Sequence, residues 1–303
     1  MAKGLLGIED LDRAELEKIL ERARFFQPQK NQSFHRLDTL RGQMVVNLFF
    51  EASTRTRSSF EIAARRLGAE TLSITASGSS VSKGESLVDT LNTLVAMRPS
   101  AIVMRHSASG APHFLARHLS TPIVNAGDGT HEHPTQALLD ARTILDRCGR
   151  LEGLRVAIIG DVAHSRVARS NIYLLSKFGV DLVLCGPPSL APRGMCDMAP
   201  RVSIEYDIRR AISGADVIMM LRVQLERQHE ACMPPGEYFQ FYGLRLEHLE
   251  LAAPDVIVMH PGPINRGREI SSEVADSQRS MILNQVENGI AVRMAVLERV
   301  LSQ

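Results

Sequence analysis

The sequence lacks a charge excess, a long apolar run and a leader-like N-terminus. Its 303 residues carry 35 Lys and Arg against 34 Asp and Glu, so a general nucleic-acid or anionic-membrane surface is not indicated. No apolar run approaches the roughly 20 residues that a membrane helix needs. The segment 1–10 has too little apolar content for a secretory signal.

Cysteines are few and unclustered. Cys148, Cys185, Cys196 and Cys232 show neither a CxxC pair nor a Cys/His metal spacing. We therefore expect free thiols in a reducing compartment, no structural metal, and a soluble cytoplasmic protein. The length allows two α/β domains or one large one.

The most informative stretch joins an apolar strand to a helix. The β-branched, apolar run 44–48 predicts a buried parallel strand, and Phe60, Ala63, Ala64 and Leu67 share one face of a following helix that ends at Gly68. Between them lies the run 53–57, with the sequence Ser-Thr-Arg-Thr-Arg. A helix N-terminus with hydroxyls and a planar guanidinium attracts an anion, so this turn predicts a phosphate site. The alternative is a simple helix cap with arginines facing water.

The rest of the chain alternates strands and helices. The polar, Gly-punctuated segment 147–153 predicts the entry to a second domain, and the periodic segment 280–301 is a helix long enough to reach back to the first. The turn 160–166 lacks the second and third glycines of GxGxxG, so NAD binding is not expected. Two polar stretches, 76–86 and 224–242, are predicted as loops, the second as a lid. Lys83 in the first is either a solvated lysine or a cation on a flap.

Further polar side chains follow predicted strands, where open α/β sheets bind ligands. They are Arg105, His133, Gln136, Arg166, Arg222 and Gln224. His131 and His133 raise the question of zinc, but no HExxH motif or third ligand is evident, and a neutral histidine that donates to a carbonyl fits the spacing better. No covalent nucleophile is paired with a base. So many cations at strand ends predict two anionic substrates, one phosphate-like, held together while charge develops on oxygen.

At this point the chain resembles a known family. The runs 53–57, 133–136 (His-Pro-Thr-Gln) and 260–263 (His-Pro-Gly-Pro) are similar, in the same order, to signatures of the aspartate/ornithine carbamoyltransferases, and the resemblance covers essentially the whole chain. The aspartate members are favoured because ornithine enzymes typically carry an HCLP motif. Arg222 to Gln224 also resembles the segment that recognises the aspartate side-chain carboxylate. The charge argument agrees, since ornithine's ammonium group would be repelled by Arg166 and Arg222.

The resemblance implies two doubly wound parallel-sheet domains with the active site in the cleft between them. Residues 1–148 would bind carbamoyl phosphate, 149–280 would bind aspartate, and a C-terminal helix, about 281–303, would return to the first domain. It also implies transfer of a carbamoyl group to L-aspartate in pyrimidine biosynthesis, without a cofactor. The expected assembly is a homotrimer with shared active sites, and the family also allows larger assemblies with regulatory chains or dihydroorotase.

By the same resemblance, individual residues receive roles. The phosphate would be held by Ser53, Thr54, Arg55, Thr56 and Arg105. The carbonyl oxygen would be polarised by Thr56, Arg105 and His133, and the carbamoyl NH2 group fixed by Gln136 and the backbone of Gly262 and Pro263. The carboxylates of aspartate would be bound by Arg166, Arg222 and Gln224. Lys83, with Ser79 or Ser80, would come from a neighbouring subunit, and Glu51 would pair with Arg166 and Arg227 when the domains close. Val167 departs from the family, where threonine is frequent, so a side-chain hydrogen bond there is in doubt.

Two alternatives stay open. The acceptor could be ornithine or another amino acid in place of aspartate. The chain could also be a non-catalytic relative that only builds an assembly, although such a chain would be expected to have lost Lys83 or part of the run 53–57, and both are present.

Overall fold

The computed structural model describes residues 4–28, 34, 37–75, 87–222 and 233–302. The chain divides into two compact units. Unit 1 contains Met1–Leu139 and Glu287–Gln303, and unit 2 contains Asp140–Val286. The chain passes between the units inside two helices, Pro134–Cys148 and Ile282–Leu301, whereas the breaks expected from the sequence, at 148–149 and about 280–281, lie at the ends of those helices.

Unit 1 is built on a five-stranded parallel sheet with strand order β1-β5-β4-β2-β3. Its elements in chain order are β1 (Gly4–Leu5), α1 (Arg13–Phe26), β2 (Met44–Phe49), α2 (Thr54–Arg66), β3 (Glu70–Thr75), α3 (Leu87–Ala96), β4 (Ala101–His106), α4 (Ala111–Ala116), β5 (Ile123–Asp128) and the start of α5 (Pro134–Cys148). The central strands are buried on both faces, as expected of a parallel sheet covered by helices.

Helix α2 shows how the sequence pattern produces this packing. Phe60, Ala63, Ala64 and Leu67 are all fully buried, as their helical spacing predicted. The helix ends at Arg66 with Leu67 as its C-cap, and the next residue, Gly68, has a φ of 83°, which only glycine adopts without strain. The N-terminus of α2 is therefore presented in a fixed direction at the end of β2.

Unit 2 repeats the architecture with strand order β10-β9-β6-β7-β8, again all parallel. Its elements are the rest of α5, β6 (Arg155–Ile159), α6 (Arg166–Lys177), β7 (Asp181–Cys185), β8 (Val202–Glu205), α7 (Ile208–Ile212), β9 (Val217–Met220), α8 (Pro235–Tyr242), β10 (Ile257–Met259), α9 (Ser272–Ala275) and the start of α10 (Ile282–Leu301). The expectation of two doubly wound parallel-sheet domains is confirmed.

The C-terminal part of α10 packs on unit 1, as the sequence predicted. Glu298 accepts hydrogen bonds from Arg22 of α1 at 2.5 and 2.8 Å, and Arg299 donates to Glu15 at 3.0 Å. Next to the unit boundary in α10, the Gln27 side chain donates to the Asn288 side chain at 2.6 Å. These contacts join the two ends of the chain within one unit.

The predicted lid, 224–242, is partly wrong. Its last eight residues form helix α8, because a proline occupies the first helical turn and Tyr238 and Tyr242, four residues apart, bury one face in the core of unit 2. The part of the lid before residue 233 lies outside the described residues. The short elements β1 and α9 were not predicted, since two and four residues carry too little periodicity.

Among the described residues, no helix is long and apolar enough to cross a membrane. The three described cysteines, Cys148, Cys185 and Cys196, are free thiols, as expected. Burial raises the pKa of the Cys185 thiol to about 12, so this side chain behaves as a core residue and not as a nucleophile.

Candidate functional site

In unit 1 the candidate residues follow three adjacent strands. β5, β4 and β2 are neighbours in the sheet, and Phe49 at the end of β2 is paired with Arg105 near the end of β4. Because all three strands are parallel, the residues that follow them meet at one edge of the sheet. The structure therefore brings together the run 53–57, Arg105 and the segment that precedes α5.

The N-terminus of α2 has no side-chain cap. Ser53 is the N-cap residue, but its side chain makes no capping hydrogen bond, and the first turn contains no acidic residue. Thr54 and Arg55 are exposed, whereas Thr56 is buried. The simple cap considered from the sequence therefore does not describe Ser53, and this turn keeps the amide donors and positive dipole end that suit an anion.

Arg105 extends across the ends of the other two strands. One Nη donates to the Glu51 carboxylate at 2.7 Å and the other to the backbone carbonyl of Ala126 at 3.3 Å. The side chains of Arg105 and Glu51 are only 11% and 24% exposed. This ion pair is thus shielded from bulk water. Charge interactions in such a shielded position are stronger than at an open surface.

His133 and Gln136 lie at the start of α5, at the same sheet edge. The backbone N–H of Gln136 donates to the His133 carbonyl at 2.9 Å, and the two residues, His133 and Gln136, are 4% and 8% exposed. Helix α5 begins at Pro134, as predicted from the preference of proline for the first helical turn.

Two acidic residues that the sequence did not single out hold the segment before His133. Glu132 is buried and accepts from the backbone N–H of Ile8 at 2.9 Å and of Glu9 at 3.2 Å. Asp128 is fully buried and accepts from the backbone of Gly110 and Glu132 and the side chain of Asn125. Glu132 depends on the backbone of Ile8, 124 residues away, and Asp128 depends in part on Gly110, 18 residues away, so local patterns alone could not have identified them.

The charge state of this segment follows from those contacts. Burial opposes ionisation of Asp128, but hydrogen bonds from His131, Asn125 and Gly110 together outweigh it and lower its pKa. The hydrogen bond to Asp128 raises the pKa of His131, against the effect of burial. Burial lowers the pKa of His113, which lies with its ring edge against His131. In the part of the chain that the structure describes, His113, Asp128 and His131 are the one group of three potential metal ligands whose ligand atoms all lie within 4.8 Å of one another.

In unit 2, Arg166 and Arg222 also follow adjacent strands. Ser165 caps α6 by accepting from the Ala168 N–H at 3.1 Å, which places Arg166 in the first turn, 5% exposed. Arg222 follows β9, whose last residues pair with β6. A Cβ on Gly160 would lie 2.9 Å from the Cβ of Leu221, so a glycine is needed where these two strand ends approach.

The turn 260–263 is held by a buried polar network. His260 Nδ1 accepts from the Gly262 N–H at 2.7 Å, and Nε2 lies 3.2 Å from the Glu269 carboxylate. The backbone N–H of His260 donates to Gln285, which donates to Asp140. The Gly262–Pro263 peptide bond is cis.

Several residues predicted for the site lie outside the described residues. They are Ser79, Ser80, Lys83, Gln224 and Arg227. Glu51 lies within them and contacts Arg105, as described above.

Comparison with known families identifies the two units. A family model described as the carbamoyl-P binding domain of aspartate/ornithine carbamoyltransferase matches residues 3–146. A second, described as the Asp/Orn binding domain of the same family, matches residues 152–300.

Individual relatives of this chain carry names from the same family. The aspartate carbamoyltransferase catalytic subunit of Solibacter usitatus (strain Ellin6076) is 77% identical over 301 residues, which are 99% of this chain and 100% of the relative. Aspartate transcarbamoylase from Trypanosoma cruzi, solved with carbamoyl aspartate and phosphate, is 30% identical with a TM-score of 0.86, over 98% of this chain and 95% of that one. Ornithine carbamoyltransferase from Thermus thermophilus is 26% identical with a TM-score of 0.88, over 99% of both chains. The chain belongs to the aspartate/ornithine carbamoyltransferase family.

Proposed function

We propose that this chain is the catalytic chain of an aspartate carbamoyltransferase. It transfers the carbamoyl group of carbamoyl phosphate to the α-amine of L-aspartate and releases N-carbamoyl-L-aspartate and phosphate, a step of de novo pyrimidine biosynthesis. The observation that carries the proposal is the uncapped, acid-free N-terminus of α2 at the same sheet edge as Arg105. Aspartate and ornithine enzymes resemble this chain almost equally in fold, so the fold does not distinguish the two acceptors. The name of the relative at 77% identity favours aspartate.

Carbamoyl phosphate is assigned to unit 1. Ser53, Thr54, Arg55, Thr56 and Arg105 bind its phosphate, and Thr56, Arg105 and His133 polarise its carbonyl oxygen. The buried position of Thr56 and His133 favours these roles, since a hydrogen bond to developing negative charge is strongest away from water. The carbamoyl NH2 group is bound by Gln136 and the backbone at Gly262 and Pro263.

L-Aspartate is assigned to Arg166, Arg222, Gln224 and Lys83. Arg166 and Arg222 follow adjacent strands of unit 2, and a guanidinium binds a carboxylate through two parallel hydrogen bonds. Val167 has no side-chain donor, so Arg166 must hold its carboxylate without help from that position. Glu51 and Arg227 are assigned to domain closure.

The reaction follows from these assignments. The amine nitrogen attacks the carbonyl carbon, and a tetrahedral intermediate carries negative charge on oxygen next to Thr56, Arg105 and His133. The bond from carbon to the phosphate oxygen then breaks, and the leaving phosphate takes the proton of the amine. Positioning of the two substrates and stabilisation of charge supply the catalysis, and no cofactor is needed.

We also propose the bounds of the two domains and the assembly of the chain. Residues 1–148 form the carbamoyl phosphate-binding domain, with the C-terminal helix returning to it, and 149–280 form the aspartate-binding domain. The two family descriptions, at 3–146 and 152–300, support this division. The chain forms a cytoplasmic homotrimer in which Lys83, with Ser79 or Ser80, reaches a neighbour's site, and regulatory chains or dihydroorotase are the candidates for a larger assembly.

The acceptor is tested by direct competition. Purified full-length protein supplied with carbamoyl phosphate is expected to carbamoylate L-aspartate much faster than L-ornithine, with the product identified by mass. Faster turnover of ornithine would overturn the choice of acceptor, and turnover of neither would favour a non-catalytic relative.

Arg55→Ala is expected to lower kcat by about 10²–10³-fold, because it removes charge stabilisation from the leaving phosphate. Arg65→Ala is the matched control, since Arg65 is exposed at the other end of α2. Steady-state kinetics of both variants should show near-normal activity only for Arg65→Ala. Near-normal activity of Arg55→Ala would contradict the phosphate assignment.

Arg222→Ala is expected to raise the KM for aspartate by about 10-fold or more while the Kd for carbamoyl phosphate is unchanged, since a charge-assisted hydrogen bond contributes roughly 1.5–3 kcal/mol. Arg210→Ala, which removes an exposed guanidinium from α7, is the control. Calorimetry with carbamoyl phosphate separates the two substrates. A loss of carbamoyl phosphate binding in Arg222→Ala would place this arginine in the wrong half of the site.

Sharing of sites between subunits is tested by mixing. Trimers reassembled from Lys83→Ala and Arg55→Ala chains are expected to recover activity, because some sites then receive both native side chains. The homogeneous variant trimers serve as controls. If verified mixed trimers show no recovery, each site is complete within one chain.

A further inference from the structure

Three potential metal ligands meet in unit 1, and none of them is among the residues assigned to carbamoyl phosphate. They are His113 of α4, Asp128 at the end of β5 and His131 in the following loop. One ligating atom from each of them lies within 4.8 Å of the other two. The sequence paired His131 with His133 and offered no third ligand, because His113 is 18 residues away and reaches His131 only through the packing of α4 beside β5.

The Asp128 carboxylate is already oriented for this role. It is fully buried, and it accepts from the Gly110 N–H at 2.6 Å, the Asn125 Nδ2 at 2.8 Å and the Glu132 N–H at 3.1 Å. A carboxylate has about four lone-pair sites, and the remaining one faces Nδ1 of His131 at 3.0 Å. That separation is close to the roughly 3.3 Å edge of a tetrahedral zinc site with bonds of about 2.0–2.1 Å.

His113 supplies an independent observation. Its Nδ1 atom is buried and has no hydrogen-bond partner among the described residues. Its ring stands edge-on to the His131 ring with the centroids 5.2 Å apart. A buried imidazole nitrogen without a partner is costly, and a bound cation would satisfy it.

We propose that His113, Asp128 and His131 bind one divalent transition-metal ion, with Zn²⁺ the best match. Two imidazole nitrogens and one carboxylate oxygen are ligands that zinc prefers, and they leave a fourth position for solvent. The His131 side chain is 32% exposed, which provides an entry path. The carboxylates of Glu9 and Glu132 add negative potential at His131, and Arg117 opposes it at His113.

Such an ion would link α4 to the loop that precedes His133. In its absence the same geometry is an Asp128–His131 hydrogen bond with a histidine ring packed beside it. The two interpretations differ in whether the protein binds metal stoichiometrically at these residues.

The test is metal binding by the full-length chain after treatment with a chelator. Equilibrium dialysis against micromolar Zn²⁺ is expected to give one ion per chain, and Co²⁺ is expected to show the visible spectrum of a tetrahedral site. His113→Gln and His131→Gln should each weaken the Kd for Zn²⁺ by at least about tenfold, the lower bound for losing even an outer partner of a ligand. Zn²⁺ should raise the Tm of the native chain and not of these variants.

His118→Gln is the matched control. His118 is exposed, and its Nδ1 contacts only the Phe114 carbonyl, at 2.7 Å, so this variant should bind Zn²⁺ like the native chain. Far-UV circular dichroism without metal checks that all three variants are folded. If His113→Gln is not folded, His131→Gln still tests the proposal, because the His131 side chain is partly exposed. Absence of stoichiometric binding, or the same affinity in all three variants, would overturn the proposal.

Discussion

The contacts of Arg105 are the interaction on which the first unit's site depends. The guanidinium joins the Glu51 carboxylate, beyond the end of β2, to the Ala126 carbonyl in β5, and so fixes the relative positions of three strand ends. Glu51 also offsets part of the positive charge of Arg105, so the phosphate that we propose for this site would have to compete with it. A phosphate can do so, because it offers more acceptor oxygens to the fork of the guanidinium than one carboxylate oxygen does. The ion pair therefore keeps a shielded guanidinium in place at the strand ends.

The N-terminus of α2 contributes backbone N–H donors with a fixed direction, which the Arg105 side chain alone does not provide. Phe60, Ala63, Ala64 and Leu67 anchor the helix in the core, so its first-turn amides keep a fixed orientation relative to the sheet. An acidic first-turn residue or a Ser53 cap would stabilise the helix by roughly 0.5–1 kcal/mol, and both are missing. The helix thus forgoes local stability, and the anion binding that we propose at this turn would account for it, since functional sites commonly depart from such local rules. The near-zero net charge of the whole chain makes this attraction local to the site.

Much of this could be predicted because strand-to-helix junctions are local in sequence. The run 53–57, Arg105, His133 and Arg166 each follow an apolar strand, and the parallel sheet alone brings the first three together. Features set by distant contacts could not be predicted. Glu132 is buried because it binds the backbone of Ile8, 124 residues away, and α8 is a helix because Tyr238 and Tyr242 find a core that the local polar composition does not reveal. His113 was not identified from the sequence for the same reason, since α4 brings it near His131.

In unit 2 the position of one proton on the His260 ring determines the hydrogen bonds of the turn 260–263. His260 Nδ1 accepts from the Gly262 N–H, so Nε2 must carry the proton and donate to Glu269. The N–H of His260 then fixes the Gln285 amide, whose NH2 group donates to one oxygen of Asp140, while the other oxygen accepts from Asn171 at 2.9 Å. Asn171 lies in α6, the helix that begins at Arg166. These hydrogen bonds connect the turn at Gly262 to the helix that carries Arg166, so the loss of any one link leaves a buried polar group without that partner.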